Sequence, residues 1–131
     1  MNFLEAIEQG LQKANDVERI RSEITEVLMK LNSSLAKFTN SDAAAFDFTK
    51  DSIRQLSPIK IDFNNFSYPM RLECGNRILQ AESFRLFVES LYICIQTATF
   101  GDYVREQMII TRPLAKVVIA SSSDLPVQRL S

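Results

Sequence analysis

From residue 2 to residue 38 the apolar side chains return every three or four positions, and that period constrains the fold more than any other feature of the chain. Leu4, Ile7, Leu11, Ala14, Val17, Ile20, Ile24, Leu28, Leu31, Leu35 and Phe38 form a stripe, while Glu5, Glu8, Lys13, Glu18, Arg19, Glu26 and Lys30 mostly fall elsewhere. The pattern predicts one long amphipathic helix over residues 1–38. At about 1.5 Å per residue such a helix reaches roughly 55 Å. A compact chain of this length has a diameter of about 36 Å. The helix therefore either projects from its own domain towards a partner, as in a coiled coil, or bends. Val17 comes one position early for a continued heptad, which places a kink near Asn15-Asp16, with Asn15 able to cap a new start and Glu18 to answer it from the next turn.

The run Thr39-Asn40-Ser41-Asp42 ends the helix. Thr49 then reads as the cap of a short helix over residues 50–56, stopped by Pro58. Beyond Pro58 the period changes to two. Ile59, Ile61 and Phe63 alternate with Lys60, Asp62 and Asn64, and Tyr68, Met70, Leu72 and Cys74 alternate with polar neighbours. A two-residue type II′ turn at Gly75-Asn76 would pair Leu72 with Leu79 and Met70 with Ala81. Residues 82–99 fit a buried helix by spacing, yet their density of Phe, Val, Tyr, Ile, Cys and Thr favours two strands. Residues 103–111 return as a strand or short helix, residues 114–120 suggest a last strand, and residues 121–131 a flexible tail. The expected fold is a single α+β domain over residues 1–131, in which the long helix packs on a meandering antiparallel sheet over residues 59–120.

The chemistry available is narrow. There is no histidine, which removes the commonest general base and metal ligand and excludes Ser-His and Cys-His nucleophilic arrangements. Three scattered glycines make neither a GxGxxG loop nor a P-loop. Ser34-Leu35-Ala36-Lys37 has the SxxK spacing of serine acyltransferases, but lies at the end of an amphipathic helix without the companion KTG element. Asp47 and Asp51 share a face only if the segment between them is helical. No catalytic residue, cofactor or metal is expected, and the chain reads as a non-enzyme.

Cys74 and Cys94, without CxxC spacing, read as buried thiols in a reducing compartment, with the cytoplasm as the expected location. The first ten residues lack a basic n-region, and the longest apolar run is far short of a bilayer span, so neither a secretion signal nor a membrane partner is expected. With 15 basic against 16 acidic residues there is no field to gather a polyanion. The expectation is therefore a protein-binding module of chaperone, inhibitor, immunity or assembly-adaptor type, engaging its partner with Leu4, Ile7, Leu11, Leu28 and Leu31, and forming a homodimer along the helix. A second reading, a nucleic-acid-binding accessory protein, rests on Arg71, Arg77, Arg85, Arg105, Arg112 and Lys116 interleaved with Tyr68, Phe84, Tyr92 and Tyr103. The neighbouring Glu73, Glu82, Glu89 and Glu106 weigh against it, and a nucleic-acid partner is the less favoured of the two.

Overall fold

In a computed structural model the chain is an α+β fold, described over residues 1–117 for the backbone and over residues 1–110 for the side chains. The first helix, α1 (Phe3–Thr39), is uninterrupted through Asn15 and Asp16, so the kink expected there is absent. Asp16 instead takes a hydrogen bond from Gln12 at 3.2 Å and pairs with Arg19, both contacts internal to one helix. Both ends are closed by local chemistry. Asn2 accepts from the Glu5 amide while the Glu5 carboxylate accepts from the Asn2 amide, a full capping box. Asn40 adopts a left-handed conformation (φ 53°), and the Ser41 amide returns to the Ala36 carbonyl at 3.0 Å.

Two antiparallel strands, β1 (Phe46–Phe48) and β2 (Ile53–Gln55), follow in place of the short helix expected over residues 50–56. Thr49 closes their turn rather than capping a helix: its amide donates to the Ser52 carbonyl and its hydroxyl lies 2.7 Å from the Ser52 hydroxyl. A three-stranded antiparallel sheet comes next, β3 (Lys60–Asp62), β4 (Met70–Cys74) and β5 (Arg77–Ala81), in sequential order. Leu72 pairs with Leu79 and Met70 with Ala81, the register read from the sequence. Gly75 takes φ +62° at the turn, where an added Cβ would also meet the Thr99 hydroxyl at 2.5 Å.

The second half is helical where strands were favoured. Helix α2 (Phe84–Ile95) starts at Ser83, whose hydroxyl accepts from the Leu86 amide at 3.2 Å. It buries Phe87, Leu91 and Cys94 at helical spacing and leaves Tyr92 exposed. The reason is tertiary: β4 and β5 present Met70, Leu72, Cys74 and Ala81 on one face, and that face is covered by the 3.6-period stripe of α2, which overrides the β propensity of the segment. Helix α3 (Ala98–Val117) occupies the positions expected as a strand or short helix and most of those expected as a last strand. The sheet therefore ends at Ala81 rather than running on to residue 120; residues 118–120 of the expected strand, and the tail at 121–131, lie outside the described residues.

One core joins these parts: Ile24, Leu28 and Leu35 of α1, Phe46, Ile59, the inner face of the sheet, Phe87 and Leu91 of α2, and Phe100 of α3. Asn32 ties α1 to β1, its amide donating to the Phe46 carbonyl at 2.8 Å and its oxygen accepting from the Ala45 and Phe46 amides. The Tyr103 hydroxyl donates to the Ala44 carbonyl at 2.7 Å and ties down α3.

Candidate interaction surface

All of the buried residues of α1 lie from Ile20 onward. They are Ile20, Ile24, Leu28, Leu35 and Thr39, whereas residues 1–15 are exposed without exception. On this projecting arm Phe3, Leu4, Ile7 and Leu11 are between 62% and 89% exposed. A helix advances about 100° per residue, so Leu4, Ile7, Leu11 and Ala14 look in one direction, about a quarter turn away from the face on which Ile24, Leu28 and Leu35 meet the core. What reads in sequence as one stripe is two faces: one covered by the chain itself, the other open.

This sorts the expected partner-binding residues. Leu4, Ile7 and Leu11 stand free on the arm. Leu28 is 0% exposed inside the core, and Leu31 is half-buried against it; neither belongs to the open face. A homodimer along the helix, as expected from the sequence, finds no open seam over Ile20, Ile24, Leu28 and Leu35, which the chain's own sheet and helices cover. Phe3 joins the open residues although it flanks the stripe, so the apolar period does not mark it.

The open face of the arm does not stop at Ala14. Glu18, Ser22, Thr25 and Met29 continue it along α1 within a sector of about 80°. There it becomes the floor of a groove of about 550 Å³, walled by Phe48 and Ile53 of the β1–β2 hairpin and edged by Arg21, Lys30 and Lys50. The Arg21 guanidinium lies 4.7 Å from the centre of the Phe66 ring, held over a turn in which Asn64, Asn65 and Phe66 all have positive φ. Apolar periodicity does not mark this groove, because its floor is polar and its walls come from a hairpin whose sequence reads as a helix.

A second groove, about 760 Å³ and almost wholly apolar, lies between α1 and α3, lined by Leu31, Leu35, Phe38, Phe100, Val104 and Met108 among others. Ser34, of the SxxK spacing, sits on its α1 side, and both Ser34 and Lys37 are exposed in the last turns of the helix. Asp47 and Asp51 share no helical face; Asp47 pairs with Arg54 across the hairpin at 2.8 Å. Among the described residues no group of three or more Cys, Asp or Glu side chains is gathered as a metal site, and no helix is long and apolar enough to cross a membrane.

Of the basic residues of the second half, Arg71 pairs with Glu73 at 3.2 Å, Arg85 with Glu89 at 2.6 Å and Arg105 with Asp102, whereas Arg77 is exposed with no ion pair among the described residues; the side chains of Arg112 and Lys116 lie outside the described residues. Of the interleaved aromatics, Tyr68 and Tyr103 are half-buried and Tyr92 alone is prominent. Cys74 and Cys94 are free and buried, with the Cys74 sulfur 3.3 Å from the Thr97 hydroxyl. Burial pushes the Cys94 thiol up to about 11, with a smaller contribution from Cys74. No protein-family model, curated protein or solved structure matches the chain.

Proposed function

We propose that the protein is a non-enzymatic interaction module, of the chaperone, inhibitor, immunity or assembly-adaptor type, that binds a partner protein with the projecting half of α1. One observation carries this reading: Leu4, Ile7 and Leu11, flanked by Phe3, form an apolar stripe on a helix that is capped at its tip and anchored by its other half, yet the rest of the chain leaves that stripe uncovered. An exposed apolar stripe at helical spacing is what helix-in-groove and helix-pairing recognition uses. A reducing, cytoplasmic setting accords with two free, buried thiols.

The test is to isolate the untagged wild type beside an Ile7→Asp/Leu11→Asp variant and to compare bound protein, whether a second copy or another chain, by mass and stoichiometry. The variant is expected to lose it while its far-UV circular dichroism stays that of a folded chain with a cooperative melt, because neither residue contributes to the core. For an identified complex, Ile7→Ala or Leu11→Ala should each cost roughly 1–3 kcal/mol of binding. A variant that unfolds, or that retains its associated protein in full, overturns the proposal.

A further inference from the structure

Resting on the reading of the arm as a protein-docking surface, we propose that its occupant is a second copy of this chain. The two α1 helices run antiparallel, each arm lying in the partner's groove between α1 and the β1–β2 hairpin.

Three observations carry this. The first is alignment. Arm and groove floor lie on one face of one uninterrupted helix, Leu4, Ile7, Leu11 and Ala14 continuing into Glu18, Thr25 and Met29. A two-fold axis across the middle of α1 therefore lays arm on groove and groove on arm at once, as an isologous interface requires.

The second is charge. The arm carries Glu5, Glu8, Asp16 and Glu18 against Lys13, whereas the groove is edged by Arg21, Lys30 and Lys50 against Glu26. Among the described residues Glu8, Glu18, Arg21 and Lys50 have no ion-pair partner in their own chain. The antiparallel register that sets Glu18 against the partner's Arg21, twice across the axis, also brings Leu11 to the partner's Met29, which is 53% exposed. It carries Ile7 and Leu4 on towards the base of the hairpin, where Leu56 is exposed.

The third is area. Four large side chains, each exposing on the order of 100 Å², give about 400 Å² per arm. Doubled by the symmetry, the arms alone give about 800 Å², and the partner surface they cover, the groove with Leu56 beyond it, carries the contact to roughly 1,000 Å², the lower bound for a specific interface.

Light scattering on the full-length protein is expected to give a dimer mass at micromolar concentration. Glu18→Arg sets arginine against the partner's Arg21 and should raise the dissociation constant at least ~10-fold. The exchange Glu18→Arg with Arg21→Glu in one chain should restore the dimer. Far-UV circular dichroism of each variant, recorded below and above its dissociation constant, keeps folding separate from assembly. A monomeric wild type overturns the second copy; if Ile7→Asp/Leu11→Asp still strips another associated protein from that monomer, the docking role of the arm stands without it. A dimer that Ile7→Asp/Leu11→Asp splits but Glu18→Arg leaves untouched overturns the proposed register. One that survives both variants overturns the inference and the docking role of the arm together.

Discussion

Asn32 shows how a single polar side chain decides where a helix meets a sheet. Its amide and its oxygen together satisfy the Ala45 and Phe46 amides and the Phe46 carbonyl, at distances from 2.8 to 3.2 Å, just where the chain leaves the helix–strand loop. Truncation would leave these partly buried backbone groups without partners, and an unsatisfied group costs about 1–3 kcal/mol. Asn32→Ala is therefore expected to lower stability by roughly 2 kcal/mol in denaturant titration. Ser33, next to it, is exposed, and Ser33→Ala should stay within ~0.5 kcal/mol of the wild type in the same titration. Neither the partner strand nor its hydrogen bonds can be read from an asparagine on a helix, because its partners lie 13 and 14 positions away.

At the scale of the element, α1 is two helices in one. The anchored half is held by the core, while the arm has only its intrinsic propensity, its capping box and side-chain pairs within the helix to hold it. Short helical stretches without tertiary packing are marginal in water, so in the isolated chain the amides of residues 6–14 should exchange hydrogen much faster than those of residues 24–35. Gly10 weakens the arm further. It is exposed, and an added Cβ there meets nothing within 4 Å. Gly10→Ala should strengthen the helix by up to ~1 kcal/mol and slow exchange across the arm. Equal exchange rates in the two halves of α1 would show that something already covers the arm.

For the molecule as a whole, the buried thiol and phenols set an alkaline limit. Burial raises Cys94 from its ordinary value of 9.0 to about 11, and burial also raises Tyr68 and Tyr103, with nearby Glu23 and Glu106 adding to it. These groups are held in their protonated forms by the fold. Their stabilisation is complete below the unfolded-state value and is lost as pH rises through the folded one, so stability should fall between about pH 9 and pH 11. Melting temperatures measured over that range should decline, and less steeply in Cys94→Ala. A flat profile would mean that Cys94 is open to solvent in solution, as would its rapid native-state labelling by a thiol reagent at neutral pH.

The α+β class, the long first helix with its end at Asn40, and the hairpin register about Gly75 were legible because each rests on local signals: a 3.6-residue period, a cap, a turn residue and a period of two. Residues 82–99 were not, since a dense apolar run satisfies both periods and only the face of β4 and β5 selects the helix. Length alone left two outcomes, a projecting arm or a bend near Asn15-Asp16, as no compact domain of this size covers a helix of 37 residues, and the helix runs on without the bend. Which of its leucines stay open was not legible. Leu11 and Leu28 have the same chemistry and similar spacing, but one is 62% exposed and the other 0%, because burial depends on what packs against a face and not on the face itself. The hairpin groove that continues the arm is likewise a product of tertiary structure: its floor belongs to α1 and its walls to a hairpin beyond the helix end, and no local period links the two.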